Sequence, residues 1–252
     1  MRNIKLLLVL LAFMASSVTF GQTRIIAHRG YWTPAGSAQN SLAALIGSHN
    51  IGVYGSEFDV WITADDQLVV NHNPEIGGVT IETARYGQIK NMRLKNGERL
   101  CTLKSYLQTG KKQPDTKLIL EIKPHASEAN ENRCVDAVVK MVAEEGVKDL
   151  VEYISFSLNV CKRLVAKAPG AKVSYLKGDL TPRQVKDLGM TGIDYAGSLF
   201  AIHPTWMKEA HDLGLTVNVW TIDDLDDLND FIKAGADFIT TNKPVEGKKL
   251  AE

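Results

Sequence analysis

The sequence predicts an α/β protein, a TIM-type (β/α)8 barrel with a small insertion after the second strand. Short apolar runs alternate regularly with helix-like segments, and this order implies a parallel sheet. About eight such repeats fall within roughly 230 residues, a length that favours a closed barrel over an open doubly wound sheet. No linker, low-complexity segment or long charge run divides the chain, so we expect one domain over residues 22–252.

The predicted strands are short apolar runs at residues 24–28, 54–60, 67–72, 117–123, 151–156, 172–176, 192–196, 216–220 and 237–241. Helix-like segments lie between most of them, at 40–50, 102–110, 129–145, 159–168, 181–189, 204–213 and 223–234. Thr181-Pro182 and His203-Pro204 favour helix starts, because proline fits the first helical turn. Four glycines stand where helices should end: Gly170, Gly189, Gly214 and Gly235. The run at 67–72 is an extra strand within the insertion, which extends from 61 to 101.

Residues 1–21 have the order of a secretory signal peptide. Arg2 and Lys5 precede an unbroken apolar run, and small residues follow up to Gly21. The apolar run is about half the roughly 20 residues that a membrane span needs. We therefore predict cleavage after Gly21, with Ser17 as the alternative, and an exported, periplasmic or secreted protein without a stable membrane anchor. An uncleaved membrane anchor is the competing interpretation.

The charge balance limits the classes of partner that the sequence supports, and the cysteine spacing bears on disulfides and metal binding. Without Arg2 and Lys5, the 29 basic side chains fall to 27 against 29 acidic ones, a net charge near −2. This balance offers no electrostatic reason to expect nucleic acid or an anionic membrane as a partner, and the sequence indicates no oligomeric state. Cys101, Cys134 and Cys161 lack a metal-binding spacing. One disulfide is the less favoured interpretation, and three buried thiols on helices the more favoured one.

Three carboxylates are expected at one rim of the barrel. Glu57 and Asp59 share a face of their strand, because side chains alternate with period two. Glu121 and Lys123 repeat this spacing after another apolar run. In such barrels the active site lies at the C-terminal ends of the strands. Adjacent carboxylates repel unless a cation separates them or one stays protonated, so the set indicates a hard divalent cation.

Two histidines and an arginine complete the predicted site. His28 and Arg29 follow the apolar run Ile25-Ile26-Ala27 at the end of the first strand, and His72 follows the run Leu68-Val69-Val70. The histidines would supply two proton carriers and the arginine a phosphate clamp, which points to a metal-assisted phosphodiesterase. Trp220, also at a strand end, is interpreted as a wall of the substrate pocket, with core packing as the alternative.

These motifs resemble the glycerophosphodiester phosphodiesterase family in order and approximate spacing over the whole mature chain. The matching segments are His28-Arg29-Gly30, Glu57-Phe58-Asp59, His72, Glu121-Ile122-Lys123, Val217 to Thr221, Gly235 to Asp237 and Ile239 to Pro244. The resemblance implies hydrolysis of a small glycerophosphodiester to glycerol phosphate and an alcohol. It implies that one divalent cation, Ca²⁺ or Mg²⁺, binds a carboxylate triad and that two histidines form the acid–base pair. The implied residues are Glu57, Asp59 and Glu121 for the metal, His28 and His72 for proton transfer, and Arg29 and Lys123 for the phosphate.

Two positions depart from the family pattern. The chain has Ala38-Gln39-Asn40-Ser41 where Pro-Glu-Asn-Thr is usual, and His72-Asn73 where His-Asp is usual. Both departures remove a negative charge near the predicted site, so they bear on substrate preference and rate. They also support a rival function, that of a catalytically silent phosphodiester-binding protein. Two further rivals are a lyase of the same fold that stops at a cyclic phosphate, and an unrelated barrel that uses metal on sugars or amides.

Overall fold

Eight parallel strands form a closed barrel in the computed structural model, which describes residues 21–252. Each strand pairs with the next, and the last pairs with the first, so the predicted (β/α)8 barrel is confirmed. The predicted signal peptide over residues 1–21 lies almost entirely outside the described residues. The strands are β1 Arg24–Ala27, β2 Gly55–Ile62, β3 Lys117–Ile122, β4 Val151–Ser155, β5 Val173–Tyr175, β6 Gly192–Ala196, β7 Thr216–Trp220 and β8 Phe238–Thr241.

Side-chain alternation along β2 shows how the barrel separates its two faces. Phe58 points outward and stacks on Tyr106 of the helix Leu103–Gly110, with 4.1 Å between the ring centroids. Glu57 and Asp59 occupy the opposite face, where Glu57 lines a cavity inside the barrel mouth. Because side chains alternate between the two faces of the strand, the outward residues build the hydrophobic core around the barrel and the carboxylates point to its interior.

Nine helices of six or more residues are present in the described part of the chain: Leu42–Asn50, Leu103–Gly110, Glu128–Glu144, Leu158–Lys167, Pro182–Asp187, Gly197–Ile202, Trp206–Asp212, Leu225–Lys233 and Pro244–Ala251. Thr181 caps the helix that starts at Pro182, and its hydroxyl accepts a hydrogen bond from the Gln184 amide. The four glycines predicted to end helices all have positive φ, which glycine adopts without strain. Those sequence signals therefore act as predicted.

Two helices of six or more residues were not predicted, and several others begin one or two residues later than predicted. Gly197–Ile202 is a six-residue helix that starts with glycine, too short to show a helical period. Pro244–Ala251 carries proline in its first turn, the same start signal that marks the helix at Pro182. The helix predicted from residue 204 begins at Trp206, so Pro204 lies in the turn before it.

The insertion after β2 is a small subdomain at the barrel mouth. The end of β2 pairs antiparallel with the strand Leu68–Val70, which pairs in turn with Cys101–Thr102. Two further short strands, Glu75–Ile76 and Val79–Thr80, form a hairpin, and a helical turn spans Tyr86–Ile89. A second hydrophobic cluster supports the subdomain: Trp61, Val69, Ile81, Ala84, Ile89 and Leu100. This packing fixes the loop that carries His72 just after Val70.

The cysteines are three free, buried thiols, as favoured from the sequence. Cys134 and Cys161 lie on helices, but Cys101 lies on the short strand Cys101–Thr102, which corrects the expectation that all three are helical. Among residues 21–252, no helix has the length and apolar character needed to cross a membrane.

Candidate active site

Glu57, Asp59 and Glu121 converge at the barrel mouth. Asp59 on β2 lies directly beside Glu121 on β3 in the parallel register, and Glu57 is two residues before Asp59 on the same face. One carboxylate oxygen from each lies within 4.8 Å of the others, and all three side chains are buried. The carboxylate cluster predicted from the sequence therefore forms.

The carboxylate oxygens of this cluster differ in whether they have a hydrogen-bond or ion-pair partner. Lys123 Nζ lies 3.1 Å from Asp59 Oδ1 and 2.8 Å from Glu121 Oε1. The backbone N–H of Arg29 donates to Glu57 Oε2 at 2.7 Å. Glu57 Oε1 is buried and has no hydrogen-bond partner among the described residues. An unpaired buried carboxylate oxygen is energetically costly, so it marks a place where a positive ligand would bind.

The pKa values reflect the crowding of negative charge. Burial, followed by the charges of Asp59 and Glu121, raises the pKa of Glu57 well above its usual range. Burial, and next the Asp59 charge, raises the pKa of Glu121 to about 8. Burial opposes ionisation of Asp59 as well, but Lys123 and His72 outweigh it and lower the pKa of Asp59. One lysine cannot neutralise three carboxylates, and oxygen ligands of this kind fit a hard divalent cation.

Asn40 orients Asp59 through two hydrogen bonds. The Asn40 Nδ2 group donates to Asp59 Oδ2 at 2.9 Å, and the Asp59 backbone N–H donates to Asn40 Oδ1 at 3.1 Å. Asn40 has a φ of 62°, a left-handed conformation that asparagine tolerates better than most residues. The helix predicted from residue 40 begins only at Leu42, with Ser41 as its cap, because Asn40 is used in this way.

Arg29 is held in an uncommon backbone conformation with a φ of 57°. Its guanidinium donates to Gln39 Oε1 at 2.9 Å, while its Nε is buried without a partner among the described residues. Gly30 follows with a φ of 76°, and a Cβ there would lie 2.7 Å from Ala44 Cβ. The chain needs glycine at this position, and the tight turn places Arg29 at the cavity.

His28 is held in one tautomer by a chain of hydrogen bonds. Asn242 Oδ1 accepts from the Trp32 indole N–H at 3.0 Å, and its Nδ2 donates to Asp223 Oδ2 at 2.8 Å. The indole can only donate and the carboxylate can only accept, so the Asn242 amide has one orientation. His28 Nδ1 lies 3.0 Å from the same Oδ1 and must therefore carry a proton. In the neutral ring the lone pair is on Nε2.

The two histidines face one cavity but differ in their surroundings. Burial, and then the Arg29 charge, lowers the pKa of His28 to about 4, so this ring is neutral at pH 7. Burial also lowers the pKa of His72, but the Asp59 charge and the Asn73 side chain oppose that effect. His72 Nδ1 lies 2.8 Å from Asn73 Oδ1. The structure therefore brings together the two histidines that the sequence singled out.

The remaining walls of the cavity are largely apolar. The cavity has a volume of about 130 Å³, which suits a small group. Trp220 forms one wall, packed edge-on against Phe156 with ring centroids 5.4 Å apart. Its indole N–H donates to the backbone oxygen of Asp194 at 2.9 Å, so the ring is fixed in place. Trp220 thus lines the cavity, and it also packs against buried residues inside the barrel, so both of its interpretations describe part of its surroundings.

The roles of several residues that shape the site were not predicted from the sequence. Asp223 was assigned to a predicted helix, but that helix begins at Leu225 with Asp224 as its cap. Asn242 falls within the family-like segment Ile239 to Pro244, but its contact with His28 joins opposite ends of the chain and leaves no local signal. Asp194 is a single acidic residue within the apolar strand Gly192–Ala196, and that signal alone could have drawn attention to it.

Comparisons with known proteins agree with this geometry. Residues 28–246 match the model of the glycerophosphoryl diester phosphodiesterase family. The chain is 43% identical to a glycerophosphodiester phosphodiesterase of Parabacteroides distasonis of known structure, with a TM-score of 0.90 over 91% of this chain and 97% of that one. A glycerophosphodiester phosphodiesterase of Caldanaerobacter subterraneus subsp. tengcongensis is 25% identical over 88% of this chain and 95% of its own length.

A more distant structure shares the fold. The phosphodiesterase of Oleispira antarctica was solved in complex with the product sn-glycerol-3-phosphate. It is 20% identical to this chain, with a TM-score of 0.80 over 91% of this chain and 96% of its own. At this identity the likeness concerns the architecture.

Proposed function

The chain belongs to the glycerophosphoryl diester phosphodiesterase family and is a phosphoric diester hydrolase, and we propose that it cleaves glycerophosphodiesters with the help of one divalent cation. The observation that carries this proposal is the buried triad Glu57, Asp59 and Glu121 with an unpartnered Glu57 oxygen. Two histidines and Arg29 line the same cavity. The product is glycerol phosphate together with an alcohol.

The triad supplies the ligands for the cation, Ca²⁺ or Mg²⁺. A bound divalent cation would neutralise the non-bridging phosphate oxygens and polarise phosphorus. Glu57 Oε1 is the free ligand atom, and the Arg29 amide and Asn40 hold Glu57 and Asp59 in orientation. Fixed outer partners of this kind set the direction of metal ligands.

His28 is the general base of the first step and His72 the general acid. Asn242 holds the proton on His28 Nδ1, which leaves Nε2 free to take a proton from the nucleophile. The lowered pKa of His28 keeps the ring neutral at pH 7, so the lone pair on Nε2 is available. Burial lowers the pKa of His72 as well, but Asp59 is the largest influence that opposes this effect, whereas for His28 the Asn242 hydrogen bond counts for more than Asp59. His72 is therefore assigned the protonated role and transfers its proton to the departing alkoxide.

Arg29 and Lys123 bind the phosphate. The Arg29 guanidinium has an unpaired buried Nε and lies at the cavity, so it can direct a charge-assisted hydrogen bond to a phosphate oxygen. Lys123 also lines the cavity, and Asp59 and Glu121 raise its pKa despite its burial. Both cations offset the negative charge that develops on the phosphoryl group.

An assay of the purified mature protein tests this function. We expect turnover of sn-glycero-3-phosphocholine with Ca²⁺ or Mg²⁺, its loss on exhaustive chelation and its return when the cation is restored. Phosphorus NMR identifies the product, because attack by the neighbouring glycerol hydroxyl passes through a cyclic phosphate whereas attack by water does not. Accumulation of the cyclic phosphate as the final product would favour the lyase. Binding without turnover would favour the silent protein.

Export to the periplasm or medium is part of the proposal and rests on the composition of residues 1–21. Expression of the full chain with a C-terminal tag, followed by N-terminal sequencing of the exported protein, tests it. We expect a mature N-terminus at Gln22. A full-length protein retained in the membrane fraction would contradict cleavage.

A further inference from the structure

Asp194 lines the active-site cavity but belongs neither to the carboxylate triad nor to the acid–base pair. It lies on β6 with its side chain directed to the barrel interior, and it is 1% exposed. Its Oδ1 has no hydrogen-bond partner among the described residues. A carboxyl oxygen that is buried, unpaired and directed into a substrate cavity points to a ligand group that pairs with it.

The surroundings of Asp194 indicate what kind of group that is. The Asn218 side chain hydrogen-bonds to Asp194, and its Nδ2 also donates to Thr240 Oγ1 at 2.9 Å. No cationic side chain contributes to the pKa of Asp194, which burial raises to about 7. The carboxyl group is therefore partly protonated near neutral pH and can both donate and accept. That capacity suits a neutral hydroxyl better than an ammonium group or a phosphate.

The shape of the cavity limits the size of this group. Ile154, Leu176 and Trp220 supply apolar walls beside Asp194, which suit a short carbon chain. Two residues earlier on the same face of β6, a Cβ on Gly192 would overlap the hydroxyls of Ser174 and Thr216. The barrel interior is thus filled one layer below Asp194. The space beside Asp194 therefore suits only a small group.

We propose that Asp194 is a specificity-determining residue that binds a hydroxyl of the glycerol part of the substrate. This inference rests on the proposed function, since it takes the phosphate to lie at the triad. It assigns the glycerol to the interior of the barrel and the head group to the open mouth. A substrate without that hydroxyl leaves the Asp194 carboxyl unpaired, and sites built to bind a hydroxyl discriminate strongly against such analogues.

The test compares ligands that differ by one hydroxyl. With the cation-loaded protein, calorimetry gives the affinity for glycerol 3-phosphate and for its two deoxy analogues, the monophosphates of propane-1,2-diol and propane-1,3-diol. Kinetics give kcat/KM for sn-glycero-3-phosphocholine and for propyl phosphocholine, which keeps the three-carbon chain but has no hydroxyl. The variants are Asp194→Leu, which removes the polar group, and Asp194→Asn, which keeps a group that donates and accepts.

We expect the parent protein to bind glycerol 3-phosphate about 10- to 100-fold more tightly than at least one deoxy analogue. Asp194→Leu should lose this preference and the matching part of kcat/KM on sn-glycero-3-phosphocholine, whereas kcat/KM on propyl phosphocholine should fall by a smaller factor. Asp194→Asn should retain most of the preference.

Equal affinity of the parent protein for all three ligands would overturn the proposal, even if Asp194→Leu fails to fold. An unchanged preference in Asp194→Leu, or an equal loss on both substrates, would also overturn it. Failure of the proposed function is distinct: the parent protein would then turn over neither phosphodiester, whatever its binding preference.

Discussion

Asn73 Oδ1 lies 2.8 Å from His72 Nδ1, so the sharpest departure from the family motif is in direct contact with the imidazole that it flanks. The two residues are adjacent in the chain and follow the strand Leu68–Val70 of the insertion. An amide at this position can orient the ring but carries no charge. The consequence of the departure is therefore electrostatic.

Asn73→Asp is expected to raise the pKa of His72, because a carboxylate beside the ring favours imidazolium. One limb of the pH–rate profile should move to higher pH with it. NMR titration of His72 in both proteins measures the change. An unchanged pKa of His72 in the variant would show that the charge of residue 73 does not influence this histidine. His28 serves as the internal reference, because it contacts Asn242 and not residue 73.

Glu121→Gln is expected to weaken binding of the divalent cation by at least about tenfold and to lower turnover. The substitution keeps the size of the side chain but removes one anionic ligand from the triad. Calorimetric titration with Ca²⁺ and Mg²⁺ measures the affinity independently of activity. The matched control is Glu144→Gln, an exposed residue at the end of the helix Glu128–Glu144, which should bind the cation as the parent does. Parental affinity in Glu121→Gln would remove Glu121 from the ligand set.

His28→Ala and His72→Ala should each lower kcat by about 10²-fold or more, since a positioned proton carrier typically contributes about 10²- to 10⁴-fold. The pH–rate profile of each variant should lose one limb. His49→Ala is the control, because His49 lies outside the cavity and contacts Thr116. Near-parental turnover in either cavity variant, with an unchanged Tm, would exclude that histidine as a proton carrier.

Asp223→Asn should impair proton transfer by His28, although residue 223 contacts Asn242 and does not contact His28 itself. The new amide would place an N–H₂ group against one of the donors that Asp223 now accepts from Asn242, so Asn242 would no longer be held in one orientation by a carboxylate. Its Oδ1 should then hold the proton on His28 Nδ1 less firmly, the fraction of the ring protonated on Nε2 should rise, and kcat should fall by about tenfold. Nitrogen NMR of the imidazole reports the tautomer directly. Asp226→Asn, an exposed neighbour, should change neither quantity. A parental tautomer in Asp223→Asn would refute this positioning role.

The depressed pKa of His28 predicts a pH dependence of stability. In the folded protein its pKa is about 4, whereas its ordinary value is 6.5. The folded state thus binds fewer protons, so the stabilisation is fully present above pH 6.5 and is lost as the pH falls from 6.5 towards 4. The contribution lost by pH 4.5 is on the order of 2 to 3 kcal/mol.

Urea unfolding of the parent protein and of His28→Gln, both with chelator, measures this contribution at pH 7.5 and pH 4.5. Other carboxylates titrate in both proteins, so the difference between the two pH slopes isolates His28. We expect the free energy of unfolding of the variant to fall less steeply on acidification. Identical slopes would mean that burial does not hold His28 in its neutral form.

Local periodicity made much of the site predictable. Strand alternation placed Glu57 and Asp59 on one face, and the order of strands and helices placed them at the C-terminal rim of a barrel. Helix caps and the glycines that end helices could be predicted from the sequence, because they act through hydrogen bonds and φ values within a few residues. What is set by neighbours in the chain can be deduced from the chain alone.

Other features depend on closure of the barrel, which no local pattern records. Closure pairs β8 with β1 and brings Asn242 to His28, 214 residues away in sequence. The role of Asp194 becomes visible only in the closed barrel, where β6, β7 and β8 enclose a common interior and the unpaired Oδ1 of Asp194 faces the cavity. The sequence by itself determined the residue types and the faces on which they lie. Only tertiary structure decided which partners satisfy them, because the register between distant strands sets which polar atoms remain free for a ligand.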